Sequence, residues 1–479
     1  MKKITLLFFS ALTFSTLRAQ LFEDKTGNMP VAATGNGTMD VASADLDGDG
    51  DPDLVLASEA RANLVFFNDG AGNFSQDPQR MLPEFNPNDQ FPGEDSEDVA
   101  IADFDLDGDP DLFFVSEDTP NHELLINDGA GRFAFADFTF PSSTANGLAV
   151  FDINGDEYPD ILIGNRGRNQ IFINSGNLTF TEETDSRWPA NTDHTQDLKL
   201  ADIDGNGSLD VVEGAEQGGS NIYLNHGGVF TEDNSRLPNF GQLMETRKVT
   251  LGDLNGDGHP DIYLANVGWT AGISGRDRLL FNDGNGYFSD VTEERLPPND
   301  GTSLEALFLD FSGDGHLDII LTQFADEGQQ ACFAYLNDGT GTFTENTNDV
   351  FPAMNYNRGV GLHAADFNAD GHPDVYFANH WQPDKLFFFI PAVMANEAIG
   401  EKAALRLFPN PAAETLRIET PGLAGGGRVV VLNSAGKAVA HLQIENGRAS
   451  VDVRGWPAGQ YWLRYEVAGQ HYSQSFVKH

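Results

Sequence analysis

Seven times along the chain the same acidic pattern returns, and a repeat of that kind restricts the fold more than any composition value can. It reads Asp-x-[Asp/Asn/Ser]-x-[Asp/Asn]-x-x-x-Asp followed by an apolar run. The copies start at Asp45, Asp103, Asp152, Asp202, Asp253, Asp310 and Asp366, at intervals of about 50–58 residues. Ahead of each copy apolar residues alternate, as in Val99 and Ile101, Leu148 and Val150, or Leu198 and Leu200. Behind each comes a second apolar run, such as DLVLA, DILIG or DVYFA, and then a third that closes on a glycine turn such as NDGAGNF or NDGNGYF. Period-two alternation predicts strands on both sides of the acidic loop. Asn-Asp-Gly and Gly-x-Gly supply the positive φ of tight hairpins, so a fourth strand starts at the phenylalanine. Four antiparallel strands in each of seven units predict an all-β chain built around a seven-bladed β-propeller.

The seventh unit ends after LFFFI, without its hairpin or fourth strand. Elsewhere the fourth strands read FTEET, FTEDN or FTENT, and LFEDKT near the N-terminus places Phe22 in the equivalent position. Residues 21–26 are therefore expected to cross over and complete the last blade, which removes the exposed sheet edge of an open array.

The loops themselves suit a hard cation. Ca²⁺ takes six to eight oxygens, and alternate residues of a tight turn can supply them from the side chains at positions 1, 3, 5 and 9 and the carbonyl at position 7. The candidate ligands in the first two loops are Asp45, Asp47, Asp49, Asp51 and Asp53, then Asp103, Asp105, Asp107, Asp109 and Asp111. The third and fourth offer Asp152, Asn154, Asp156, Tyr158 and Asp160, then Asp202, Asp204, Asn206, Ser208 and Asp210. The fifth has Asp253, Asn255, Asp257, His259 and Asp261; the sixth, Asp310, Ser312, Asp314, His316 and Asp318; the seventh, Asp366, Asn368, Asp370, His372 and Asp374. Position 12 of the first loop is Leu56 inside a strand, which excludes the helical EF-hand with its glutamate there. The three position-7 histidines are read as carbonyl donors with their rings turned outward. Up to seven Ca²⁺ ions are expected, in a structural role. The loops at Asp45 and Asp103, with four carboxylates each, are expected to bind most tightly. The loop at Asp152 is expected to be distorted or weak, because Glu157 stands where glycine is preferred. The competing reading is that these are simply solvated acidic turns.

On these motifs, residues 21–390 resemble the FG-GAP/VCBS-type propeller, the fold of integrin α-subunit heads. The resemblance implies Ca²⁺ between the first two strands of a blade, loops on one face of the ring, and partners on the opposite face. The match is closest at Asp45, Asp103, Asp253, Asp310 and Asp366, and looser at Asp152 and Asp202.

The ends of the chain suggest how it travels. Lys2 and Lys3 precede an apolar run from Ile4 to Leu17 that ends in LRAQ, the pattern of a secretory signal peptide cut after Ala19. The alternative is an uncleaved anchor. Exported proteins of this size commonly use disulfides, but Cys332 is the sole cysteine, and it is read as a small core residue. The excess of acid lies before residue 405, while the remainder is slightly basic. That step marks a domain boundary. The expected organisation is a signal peptide over 1–19, a propeller over 20–392, a linker over 393–404 and a small Ig-like β-sandwich over 405–479. Within the last segment LFPNPAAETLRI, NSAGKAV, WPAGQYWLRY and the terminal FVKH resemble the C-terminal sorting domain of the type IX secretion system of Bacteroidetes. The resemblance implies passage to the cell surface or medium through that machinery. An Ig-like carbohydrate-binding appendage is the alternative.

A net charge of -45 argues against nucleic acid, whose phosphates call for clustered Lys and Arg. No later stretch is long and apolar enough to span a membrane. The reading that remains is a secreted or surface-exposed binding or adhesion module for a glycan or protein ligand. Loop tryptophans Trp188, Trp269 and Trp381 are the candidate ligand contacts, with packing anchors as the bland alternative. The segment 75–98, with Phe85 and Phe91, is a further candidate contact. A calcium-dependent polysaccharide-degrading enzyme is the alternative function. No nucleophile elbow, HExxH motif or phosphate loop is present, and His194, Arg247, Arg358 and His363 fall on different blades.

Overall fold

The computed structural model describes residues 20–33, 35–83, 95–117, 121–216, 218–299, 301–325, 330–352 and 358–391, together with parts of 406–478. The expected signal peptide, the linker and both Phe85 and Phe91 lie outside the described residues. Two compact units emerge, Met1–Met394 and Ala395–His479.

The first unit is a ring of seven four-stranded antiparallel sheets. The innermost strands are Thr38–Ala44, Ser96–Ala102, Ala145–Phe151, Thr195–Ala201, Thr246–Gly252, Ser303–Leu309 and Gly359–Ala365. Each continues through its acidic loop into a second strand that begins at the last aspartate of the pattern, as in Asp53–Ser58 or Asp111–Ser116. The second strands do not alternate between buried and exposed. They are buried at every position, because neighbouring blades stack on both of their faces.

Ring closure follows the expected route. Phe22–Asp24 forms the outer strand of the seventh blade, with Phe22 opposite Phe389 and Asp24 opposite Phe387. Phe22 is 1% exposed; it stacks on Phe351 at 4.8 Å and meets the edge of Phe389 at 5.4 Å. Burial of that ring fastens the two ends of the propeller together.

Two features of the ring were not read from the repeats. The asparagine ending the third strand reaches back one blade: Nδ2 of Asn68, Asn127, Asn174, Asn282 and Asn337 donates to the carbonyls of Phe367, Leu46, Phe104, Ile203 and Leu254. Those carbonyls belong to position 2 of the neighbouring acidic loop, so these five loops are tied to the next blade. The connections after the outer strands carry a second clamp. Arg187, Arg236 and Arg295 donate to the carbonyls of Gly228, Asn285 and Thr340 in the following blade's hairpin, and Asn28 does the same to Gly72. Recurrent Arg-Trp-Pro and Arg-Leu-Pro triplets are its sequence trace.

The second unit has two antiparallel sheets, one of three strands and one of four. Leu416, Ile418, Val429, Val431, Ile444, Val453 and Leu463 bury its core. This is a small β-sandwich, as the short strands and glycine turns predicted.

Candidate functional site

The seven acidic loops share one hydrogen-bond scheme. In the first, Asp45 Oδ1 accepts the N–H groups of Gly48 and Asp49, and Oδ2 accepts that of Gly50. Position 5 then accepts from position 7, as Asp49 does from Asp51 and Asp370 from His372. Position 9 is the anchor. Asp53 Oδ2 accepts the Leu46 N–H and Oδ1 the Asn68 N–H, so one carboxylate joins loop, second strand and third strand. Leu46 is itself fully buried, as are its counterparts Phe104, Ile153, Ile203, Leu254, Phe311 and Phe367, and this apolar position 2 pins the loop to the core.

Side chains at position 7 turn away from the loop centre. A Cβ built on Gly70 would meet Asp51 Oδ2 at 2.4 Å, and one on Gly284 would meet His259 Nε2 at 2.8 Å. The position-7 side chain therefore lies across the hairpin glycine of its own blade. His372 instead packs on Phe389, with ring centroids 5.0 Å apart.

Electrostatically the loops concentrate buried negative charge. All seven position-9 aspartates have no exposed surface. Burial pushes Asp53, Asp111, Asp261 and Asp374 up to about 7, and Asp160 and Asp318 up to about 6, with the other loop carboxylates adding to it. Oxygen atoms of Asp45, Asp47 and Asp53 converge within 4.8 Å, as do those of Asp103, Asp105 and Asp111, and of Asp202, Asp204 and Asp210. These three clusters could hold a metal ion. Asp47 Oδ1 is moreover buried without a hydrogen-bond partner, which a metal ion at this cluster would satisfy.

The loop at Asp152 is not distorted. Asp152 accepts from Gly155, Asp156 and Glu157 as its counterparts do, and the cost falls on Glu157, held at φ 76°. Leu106 and Ala369 at position 4 carry the same strain, at φ 59° and 57°. Left-handed backbone is unfavourable for a residue with a Cβ. Glu157→Gly is therefore expected to stabilise the propeller by about 1 kcal/mol, read from the urea midpoint. An unchanged or lower midpoint would show that the Glu157 side chain compensates.

At the other end of the ring lies a cavity of about 280 Å³. Each innermost strand begins with a β-bulge at one register position, between Thr38/Asp40, Ser96/Asp98, Ala145/Gly147, Thr195/Asp197, Thr246/Lys248, Ser303/Glu305 and Gly359/Gly361. The bulged residues Met39, Glu97, Asn146, Gln196, Arg247, Leu304 and Val360 all line the cavity, one from each blade. Bulges re-aim a side chain out of the ladder, here toward the ring axis. Glu59, Glu117, Phe324 and His380, which follow the second strands, widen the wall, and Lys248 and Trp269 complete it.

Next along the innermost strands is a buried ionic cluster. Lys248 Nζ lies 3.9 Å from Asp40 and 3.8 Å from Asp197, and Lys199 Nζ lies 3.0 Å from Asp197. Burial opposes its charge, yet Asp98, Asp40 and Asp197 hold Lys248 well above the usual lysine range. The carboxylates also fasten blades: Asp40, Asp98, Asp197 and Glu305 accept the N–H groups of Val99, Leu148, Val249 and Leu362 in the next blade.

The tryptophans are not brought together. Trp269 is 49% exposed in the cavity wall, with the Arg247 guanidinium 4.7 Å from its ring. Trp381 is half-buried, at φ 55° beneath Arg61. Trp188 is 3% exposed and packs on Tyr223 and Phe230, so it is a packing anchor. His194 pairs with Glu216 at 3.2 Å, Arg358 covers Phe324, and His363 bonds Ser43, so these do not assemble with Arg247 in the cavity lining. Cys332 is buried, and burial pushes its thiol well up. Among the described residues no helix is long and apolar enough to cross a membrane.

Comparison with known proteins sets this architecture in a family. The FG-GAP-like repeat model matches residues 45–114, 103–163, 152–213, 202–264, 267–321 and 310–377, and these windows together contain all seven acidic loops. The chain belongs to the FG-GAP-like repeat family. Residues 406–479 match the secretion system C-terminal sorting domain, which implies export to the cell surface or beyond through that machinery. This FG-GAP-repeat protein is 28% identical to mouse cartilage acidic protein 1 over 246 residues, 49% of this chain and 36% of that protein. It is 24% identical to human T-cell immunomodulatory protein over 342 residues, 64% of this chain and 53% of that protein. The chain thus spans about a third to a half of these curated relatives. Among solved structures it is similar to the extracellular domain of a one-component system from B. thetaiotaomicron, with TM-score 0.50 and 13% identity, covering 94% of this chain and 52% of that one. That likeness concerns the fold alone.

Proposed function

We propose that this protein is a calcium-stabilised extracellular binding module that takes a glycan or protein ligand at the face opposite its acidic loops. The observation that carries the reading is the central cavity, to which all seven blades contribute one bulged residue. Export begins with a signal peptide over residues 1–19 and ends with the sorting domain. Each loop holds Ca²⁺ through the side chains at positions 1, 3, 5 and 9 and the carbonyl at position 7. The bound ion offsets carboxylates that burial and mutual repulsion otherwise hold in a costly state. A glycan and matrix-protein array, probed with the purified mature chain, tests the reading. Binding without turnover is expected, and turnover of a bound glycan would move the assignment to a polysaccharide-degrading enzyme.

The two loops with most carboxylates are not equivalent. Arg80 Nη1 lies 2.5 Å from Asp47 Oδ2, and its guanidinium sits 3.7 Å above Phe67. That cation already offsets a ligand of the first loop. Arg80→Gln is expected to tighten Ca²⁺ at that loop about tenfold, the equivalent of ~1.4 kcal/mol, in calorimetric titration. The same substitution in an Asp45→Ala background should change nothing.

A further inference from the structure

The cavity wall is chemically two-sided. On blades one and two it presents Glu59, Glu97 and Glu117. Across the axis, on blades five to seven, it presents Trp269, Leu304, Phe324 and Val360, with the amides of Asn146 and Gln196 between the two sides. The basic groups of the wall each have an acidic partner, although Arg247 Nε and His380 Nδ1 are buried without a hydrogen-bond partner and Lys248 also borders the cavity. Arg247 is 2.6 Å from Glu245 and donates to Gln196 at 2.7 Å; His380 pairs with Glu59; Lys248 is held by the aspartates of the ionic cluster. Neither Glu97 nor Glu117 has a side-chain hydrogen bond or ion pair among the described residues. Burial, and then the carboxylates of Asp95, Glu117 and Glu59, push the Glu97 carboxyl well above its usual range. Negative charge of this kind is relieved by a proton or by an entering cation. A bare metal ion would need six or more oxygens, whereas half of this wall is aromatic and aliphatic. An organic cation satisfies both sides at once: its charge faces the carboxylates, and its apolar face lies against the Trp269 side of the cavity.

Resting on the binding-module reading, we propose that the central cavity binds a small organic ammonium ligand with one apolar face, the chemistry of an amino sugar that keeps a free amine. The amine donates to Glu97 and Glu117, hydroxyl groups meet Asn146 and Gln196, and the ring lies against Trp269.

Calorimetric titration of the purified, calcium-loaded mature chain with glucosamine, N-acetylglucosamine, glucose and lysine amide tests the assignment. Glucosamine is expected to bind at least tenfold more tightly than either neutral sugar. Glu97→Gln combined with Glu117→Gln should erase that preference while leaving the unfolding midpoint unreduced, and Trp269→Ala should weaken every sugar. Equal or tighter binding of N-acetylglucosamine would overturn the ammonium assignment, as would glucosamine binding that survives the double substitution. Binding of lysine amide without glucosamine would overturn the sugar body. Capture of neutral or acidic glycans on the array with no preference for an amine sinks this inference alone, whereas failure to capture any ligand removes the binding-module reading with it.

Discussion

Chelation of divalent cations at pH 7.5 is expected to lower the unfolding midpoint by more than about 10 °C, and at pH 5 by much less. Each site held at a hundredfold excess over its dissociation constant adds about 2.7 kcal/mol. At roughly 1–1.5 °C per kcal/mol for a unit of this size, four occupied loops already exceed that shift. The pH dependence follows from the position-9 aspartates. Without the ion, burial raises Asp53, Asp111, Asp261 and Asp374 to about 7 against an unfolded value of 3.8. Between those two values the folded chain keeps protons that the unfolded chain has released, so metal-free stability falls as pH rises from about 4 to about 7. Calcium removes the trend by keeping the carboxylates ionised and compensated. Calorimetric scans with EDTA and with calcium, from pH 5 to 7.5, read both parts. A midpoint indifferent to chelation at every pH would sink the calcium assignment.

The second large effect is expected at Lys248. Its ammonium is surrounded by Asp40, Asp98, Asp197 and Glu305, and burial pushes Glu305 up to about 7. Removing one partner of a buried ionic cluster leaves the remaining charges uncompensated, a loss of about 3–5 kcal/mol. Lys248→Met should therefore lower the urea midpoint sharply. The loss should be larger at pH 8 than at pH 5, because the raised carboxyls are protonated at the lower pH and need no counter-charge. Adding Asp98→Asn should restore part of the stability. A Lys248→Met protein as stable as the parent at pH 8 would overturn this role of the lysine.

These two sites differ in how plainly they stood in the sequence. The acidic loops repeat residue type and spacing together, because so tight a turn needs carboxylates at positions 1, 5 and 9 to accept its own N–H groups and left-handed backbone between them. The hairpin glycines and the strand completed by Phe22 were legible for the same local reason. Arg80 gave no such signal, since it touches Asp47 across 33 positions of chain. Trp188 misled, because a tryptophan in a connecting loop reads alike whether its ring faces solvent or, as here, Tyr223. The cavity was invisible. The seven bulged residues of its wall share a register position but no chemical type, running from Met39 through Glu97 and Arg247 to Val360.

What the sequence by itself determined is the all-β repeat, its blade count, the acidic loops and the sorting domain, all written in local periodicity and turn chemistry. What only the tertiary structure decided is what stands at the centre of the ring: the carboxylate wall facing Trp269, and the lysine cluster beside it. Strand pairing and turn sterics act between neighbours in the chain, whereas closing the ring converges side chains from seven distant repeats on one axis, where burial and charge act between residues of different repeats.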